Sequence, residues 1–492
     1  MAEAAYDRLS AQDATFLDLE TPNLHQHIAA VLVLEAGPLR GPEGGIDVER
    51  IRGFIASRLH RLPRYRQRLA RIPLERHPVW VDDPHFALGY HVRHTALPRP
   101  GDARQLKRLA GRIVSQQLDR DRPLWELWVV EGLEGGERFA IVQKVHHCMI
   151  DGVSGVDLMM LLMGASPEAR FESAPPWEPR AVPGPADLLA AEAGRRLGGV
   201  FDALRGAPRA LQDPMGLAER VQEGARAVVE TLGAGLRSAS DTPLNQPIGP
   251  HRRFDWLDMD LEEVKRVKNA LGGTVNDVVL ATVAGALRRL LALRRVVPEG
   301  LLIRANVPVS LRTRDQRGAL GNRIALLMAE LPVCEPDAQT RFSHVCATMG
   351  RLKESRQAMG AEVLAAVSEW TSATLLSLAV RVAARGRPYN LVVTNVPGPQ
   401  LPLYLLESRM EACYPVVNLL PCQALGVALF SYAGRLSWGF TADWDLVPDL
   451  HEFVRAIRES FAELRAVASL AAEPAPAERA ERRGDLGGRA GR

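Results

Sequence analysis

Cysteine is scarce in this chain of 492 residues: Cys148, Cys334, Cys346, Cys413 and Cys422 are all it has. They are odd in number, scattered and without a CxxC pair. That argues against a disulfide framework or a zinc site and for a reducing interior. No basic segment followed by an apolar one occurs between Met1 and Glu20, so no secretory signal is visible. No apolar run reaches membrane-spanning length; the nearest, around Leu375 to Ala384, is broken by Ser377 and Arg381. The expectation is a protein that does not span a membrane but is compatible with lying on one. Charge of one sign is also missing in excess: 61 Lys and Arg face 58 Asp and Glu, for a formal net charge of +3. Without a face-forming basic run, nucleic acid is not expected as a partner, although a local basic patch near an anionic cofactor or membrane is allowed. No internal repeat of solenoid length is evident.

What is present is apolar mass. Hydrophobic residues make up 47% of the chain, enough for a large core and too much for global disorder. The length calls for two or three domains. We expect an N-terminal domain over 1–165, a helical crossover over 166–250, a C-terminal domain over 251–470 and a disordered tail over 471–492. In the first, His27 to Glu35, Pro78 to Asp82 and Tyr90 to His94 read as strands and Arg122 to Leu133 turns into one, with helices at Asp47 to Leu59 and Arg104 to Leu118. The crossover opens on Pro-rich linker and continues as an Ala/Arg/Glu-rich segment, Ala186 to Arg237, read as a loosely packed connection or a lipid-contacting helix pair. In the C-terminal domain, Asp255 to Met259, Leu301 to Ser310, Ala325 to Leu331, Leu425 to Tyr432 and Arg435 to Thr441 read as strands. Leu261 to Leu271, Val278 to Leu293, Ala338 to Met359, Glu362 to Ala384 and Leu450 to Leu470 read as helices, the second capped by Thr274 to Asp277. The fold class is α/β, or α+β.

The stretch that carries chemistry is Val145-His146-His147-Cys148-Met149-Ile150-Asp151-Gly152-Val153-Ser154-Gly155. An apolar strand, Phe139 to Val142, leads in, and an apolar helix, Val156 to Met163, leads out, so two imidazoles and a carboxylate sit on a strand-to-helix turn. A neutral imidazole accepts and returns a proton near neutral pH. Asp151 either orients His147, as in a triad, or holds the loop by pairing with an arginine; Arg312, at the end of a buried strand, makes the second role the favoured one. The Gly-x-Ser-x-Gly elbow of a serine hydrolase is absent. Cys148 follows His147 directly and reads as packing rather than as a nucleophile. The spacing of His146, His147 and Asp151 is not that of HxxxH or HExxH, so no metal is expected. What remains is general-base catalysis by His147 on a hydroxyl or amine that attacks an activated acyl group, without an acyl-enzyme.

His146 to Gly152 also matches the HHxxxDG signature of CoA-dependent acyltransferases, and the chain resembles the bacterial wax ester synthase/diacylglycerol acyltransferases in particular. The resemblance extends to Leu9-Ser10 with Asp13 and Phe16-Leu17, to Pro123-Leu124-Trp125 with Val130 to Leu133, to Asn276 to Ala281, to Val307 to Arg312 with Gly321-Asn322, and to Asn395 to Pro399. It implies two chloramphenicol-acetyltransferase-like domains meeting at an active-site tunnel. Acyl-CoA enters as co-substrate from one end, and diacylglycerol or a fatty alcohol from the other. By the same resemblance His147 is the general base, His146 supports it, Asp151 is structural and paired with Arg312, and Gly152 permits the turn. Pro123, Leu124 and Trp125 shape the acyl pocket, with Asn276 and Asp277 near the site. Trp125 reads equally well as a core aromatic, and Asn276-Asp277 as a helix cap. A cytoplasmic location is expected, with a peripheral position on the plasma membrane or a lipid droplet. The alternatives are another hydroxyl acceptor, such as a glycolipid or polyketide alcohol, and a lipid-associated binding protein of low activity.

Overall fold

The computed structural model describes residues 6–149, 159, 162–168, 170–195, 238–310, 324–354 and 387–472. Its first half runs β1 (Asp7–Arg8), α1 (Ala11–Leu19), β2 (His27–Glu35), α2 (Val48–Arg58), β3 (Gln67–Arg71), β4 (Pro78–Asp82), α3 (Leu88–His91), β5 (Val92–Ala96), α4 (Ala103–Val114), β6 (Trp125–Leu133) and β7 (Arg138–His146). The second half runs β8 (Arg252–Asp260), α5 (Leu261–Leu271), α6 (Val275–Leu293), β9 (Ile303–Ser310), β10 (Ile324–Leu331), α7 (Ala338–Glu354), β11 (Leu391–Pro397), β12 (Tyr404–Leu405), β13 (Ser408–Val416), β14 (Leu425–Tyr432), β15 (Arg435–Asp443) and α8 (Leu450–Ala472).

Two six-stranded sheets result, in the orders β12-β13-β2-β7-β6-β5 and β10-β9-β11-β14-β15-β8, beside a small β1-β4-β3 sheet. In the first sheet only β5 and β6 run parallel. Its central strands are aliphatic on both faces because both are covered. Leu32, Leu34, Ile141 and Leu127 pack with Ile51, Phe54 and Ile55 of α2, while Val31, Val33, Val142 and Val130 pack with Leu106, Ala110 and Ile113 of α4. The second sheet is covered by α6 and α8. Helix α6 starts where it does because Thr274 and Asp277 form a capping box, and α5 ends at Gly272, left-handed at φ 76°. Among the described residues no single helix is long and apolar enough to cross a membrane.

The sheets do not follow a boundary near residue 250. Tyr404–Val416 leaves the second half and completes the first sheet, β13 pairing antiparallel with β2 from Val416↔Ala29 to Met410↔Leu34. The two sheets also meet through Trp256 of β8, stacked on Tyr414 of β13 at 4.6 Å, and through the Tyr414 hydroxyl, which donates to Asp258 Oδ2 at 2.7 Å. Two glycines permit the approach: a Cβ on Gly111 of α4 would lie 2.9 Å from the Arg252 carbonyl oxygen, and one on Gly439 of β15 would lie 1.8 Å from that of Pro415. The described part of the crossover is not loose. Arg180 forks onto Asp82 at 3.0 and 3.2 Å, and Leu188, on a helix over 185–195, packs with Ile72, Val79 and Val81. The remainder of Ala186 to Arg237, the helix read over Glu362 to Ala384 and the tail lie outside the described residues.

Candidate active site

The register of β7 builds the site. Pairing with β2 sets His146 opposite His27, and the His146 amide donates to the Leu124 carbonyl at 2.9 Å, next to Pro123 and Trp125. The strand then ends: His147–Met149 is a single turn of 3-10 helix, anchored by the His147 amide donating to the Gln26 carbonyl at 2.8 Å. Period-two alternation sends Lys144 and His146 toward α4 and Phe139, Ile141 and Val145 toward the α2 side.

His147 is half-buried. Phe16 of α1 stacks on its ring at 4.0 Å and an interplanar angle of 21°. Helix α1 holds Phe16 there because Ser10 caps it, accepting from the Asp13 amide at 3.0 Å. Burial, with the neighbouring His146 as a second cause, pushes the His147 imidazole down to about 4, so it is neutral near pH 7 with a ring nitrogen free to take a proton.

His146 is fully buried and held from both ends. The Cys148 amide donates to its Nδ1 at 3.2 Å, so Nδ1 is an acceptor and the neutral ring carries its proton on Nε2. Nε2 faces Glu20 Oε1 at 3.4 Å, a close approach rather than an aligned hydrogen bond. Glu20 is the C-cap of α1, where the helix dipole disfavours a carboxylate, and its side chain is 2% exposed. It stays ionised because it is surrounded by donors. Arg120 Nη2 lies 2.7 Å from Oε2, the Gln26 amide donates to Oε1 at 2.9 Å, and the Gln117 amide donates to Oε2 at 3.1 Å. Burial raises its pKa, but His146, Arg120 and the Gln26 N–H outweigh that and hold it well below the usual carboxylate range. Gln26 is gripped in turn by Asn418 of the second half, whose Nδ2 donates to Gln26 Oε1 at 2.8 Å. Glu20, Gln26, Arg120 and Asn418 were not apparent from the sequence.

Behind the pair, His27 donates through Nε2 to the Val114 carbonyl at 3.0 Å. Burial first, then the charge of Lys144, hold His27 well below its usual pKa. Lys144 is itself completely buried, its ammonium donating to the carbonyls of Ile113 and Gln116 at the end of α4 and pairing with Glu126 at 3.3 Å.

Of the residues singled out in the sequence, Asp151, Gly152 and Arg312 lie outside the described residues. His146, His147, Leu124 and Trp125 are brought together. Trp125 donates through Nε1 to the Tyr65 carbonyl at 2.8 Å, stacks on His91 at 4.7 Å, and lines a small apolar cavity with Tyr65, Leu59 and Val145. It is core and wall at once. Asp277 is the capping-box partner of Thr274, accepting from its amide at 2.8 Å, and adjoins Cys346, whose thiol is pushed up to about 11 by burial and by that carboxylate. Asn276 sits half-buried at the start of α6, and its side chain has no hydrogen-bond partner among the described residues. Cys148 is buried and its thiol is driven well above its usual pKa, first by burial, the opposite of what a thiolate nucleophile needs. No group of three or more His, Cys, Asp or Glu among the described residues is arranged to hold a metal.

The arrangement presents one neutral imidazole at the surface of the site, a second fixed in one tautomer behind it, and a buried anion behind that. It suits removal of a proton from a weak acid such as an alcohol. Residues 9–279 match the model of the wax ester synthase/diacylglycerol acyltransferase catalytic domain, and residues 320–465 that of the WS/DGAT C-terminal domain. The chain is 34% identical over 468 residues, 94% of its own length and 96% of the other's, to a Mycobacterium tuberculosis protein named probable diacylglycerol O-acyltransferase tgs1. It superposes with a TM-score of 0.64 and 27% identity on the solved wax ester synthase/diacylglycerol acyltransferase of Marinobacter aquaeolei VT8, covering 94% of this chain and all of that one. A starter condensation domain of rhizomide synthetase, solved with C8-CoA, shares the fold at a TM-score of 0.56 and 15% identity, with 96% of each chain covered.

Proposed function

This chain belongs to the wax ester synthase/diacylglycerol acyltransferase family, and we propose that it transfers a long-chain acyl group from acyl-CoA to the hydroxyl of diacylglycerol or of a fatty alcohol. It is an acyltransferase with the two-sheet fold of its solved relatives. The observation that carries the reading is the neutral, half-buried His147 backed by His146 and Glu20.

In the proposed reaction the His147 imidazole takes the proton of the acceptor hydroxyl as its oxygen attacks the thioester carbonyl. The tetrahedral oxyanion collapses, the C–S bond breaks, and the proton passes from His147 to the departing thiolate of CoA. No acyl-enzyme forms. Asn276, at the positive end of α6, is proposed as a donor to the oxyanion. Asp151 paired with Arg312 holds the loop, Gly152 permits its turn, and Pro123, Leu124 and Trp125 wall the acyl pocket. Both substrates partition into lipid, so a peripheral position on a membrane or droplet surface accompanies this proposal.

The test is acyl transfer by the purified protein from palmitoyl-CoA to diacylglycerol and to hexadecanol. His147→Ala is expected to lower kcat by about 10²–10⁴, the contribution of a positioned general base. Undiminished ester formation by that variant, folded as judged by circular dichroism, would remove His147 from the mechanism.

A further inference from the structure

On the α2-facing side of β7 the residues are Phe139, Ile141, Gln143 and Val145, and one of the four is polar. Gln143 is half-buried between Ala30 of β2 and Leu127 of β6, its register partners. Two adjoining cavities meet at it, each about 20 Å³ in volume and almost wholly apolar. The one nearer the histidines is bounded by Trp125, Tyr65 and Val145; the farther one is bounded by Ile141, Met163 and Leu405. They share Gln143, Leu127, Ile55 and Leu162, so together they form one slot that runs along β7 away from His147. Among the described residues the Gln143 side-chain amide has no hydrogen-bond partner.

An amide facing an apolar slot without a partner is costly unless what fills the slot satisfies it. At its present size each cavity has room for about one water. Met159 and Met163, with unbranched thioether side chains, are the wall residues best able to give way to a chain. Three steps of strand and one of 3-10 helix lead from Gln143 to His147, roughly 12 Å at about 3.3 Å per strand residue and about 2.0 Å per 3-10 residue, which is the length of about nine carbons of an extended acyl chain.

We infer that Gln143 is a specificity-determining residue of the acyl slot, which selects chains that carry an oxygen (a hydroxyl or oxo group) near their middle over plain saturated chains of the same length. The inference rests on the proposed acyl transfer. A plain chain threaded past Gln143 excludes water from the slot and strands the amide. A mid-chain hydroxyl pairs with the amide where water cannot reach.

The experiment compares kcat/KM for stearoyl-CoA and for stearoyl-CoA hydroxylated on carbon ten or twelve, with one alcohol acceptor, in the wild type and in Gln143→Leu. Wild type is expected to favour the mid-chain hydroxylated donor by about 5- to 50-fold, the range of one buried polar group satisfied or stranded. The leucine variant is expected to lose or reverse that preference. A donor hydroxylated on carbon two, next to the reacting carbonyl, should be used relative to stearoyl-CoA in the same ratio by both proteins. The variant's melting temperature should equal or exceed that of wild type, because an unpartnered amide is exchanged for an apolar group of similar size. A preference that is absent from wild type, or survives in Gln143→Leu, overturns the inference while leaving acyl transfer intact. So does a lowered melting temperature, which would mean the amide already has a partner. No transfer from any donor by either protein would overturn both this inference and the proposed function.

Discussion

At the scale of single residues, His147 does not set its own chemistry. Its ring is shaped from behind: the Cys148 amide fixes Nδ1 of His146 as an acceptor, which turns Nε2–H toward Glu20. Glu20→Gln keeps a group that accepts from the Gln26 amide but removes the charge that faces His146 and Arg120. We expect kcat to fall by about 10- to 100-fold while KM for acyl-CoA changes little, as for outer partners that orient a working imidazole. A purely structural role would not move the second readout, nitrogen-15 NMR of His146: a single Nε2–H tautomer in wild type, exchanging tautomers in the variant. Unchanged tautomer and rate would make Glu20 a bystander. The two histidines were legible in the sequence because adjacent imidazoles followed by Asp-Gly are rare and sit after an apolar strand. Glu20 was not, since its partners Arg120 and His146 lie far along the chain. A cue was nevertheless there: a carboxylate at a helix C-terminus opposes the helix dipole and must be held by something.

At the scale of elements, local chemistry made most boundaries readable. Helix α5 matches the span expected from its periodicity, Leu261 to Leu271, and the Thr274 cap fixes the start of α6. The short helix α3 over Leu88–His91 displaces part of a strand read from Tyr90 to His94. Strand β13 went unread, because its partner β2 lies near the other end of the chain and nothing local in Ser408–Val416 announces the pairing. That strand is held against β15 where Gly439 leaves no room for a side chain. Gly439→Ala would place a Cβ 1.8 Å from the Pro415 carbonyl oxygen, a backbone atom that cannot swing aside, whereas Gly111→Ala meets the Arg252 carbonyl at 2.9 Å. We expect Gly439→Ala to cost about 3 kcal/mol or more and Gly111→Ala less, measured from urea midpoints at equal slopes. Equal costs would mean that the two sheets can separate at β13 without penalty.

At the scale of the whole molecule, the first sheet, α4, the loop entering β2 and the edge of the small β1-β4-β3 sheet enclose histidines that fold neutral. The pKa values of His25, His27, His77, His91 and His147 are all lowered, burial being the first cause of each. The sign follows from linkage: a histidine with a lowered folded pKa binds its proton more readily in the unfolded chain, near 6.5. Unfolding therefore takes up protons as pH falls below that value, and stability is lost until the folded pKa is reached, about 4 for His147. The buried carboxylates do not confuse this window. Glu20, Asp82 and Asp449 have lowered pKa values, so their contribution is intact above the unfolded carboxylate range and falls away only below about pH 4. Between pH 7 and 5 the histidines alone should bend the stability curve. Urea denaturation at a series of pH values is expected to give a free energy of unfolding that drops steadily through that interval. In His27→Gln, which keeps a donor for the Val114 carbonyl and removes one titrating ring, the drop should be shallower. A flat curve from pH 7 to 5 would show that the core accommodates charged imidazoles. The neutral state of His147, on which the proposed proton abstraction depends, would then lose its physical basis.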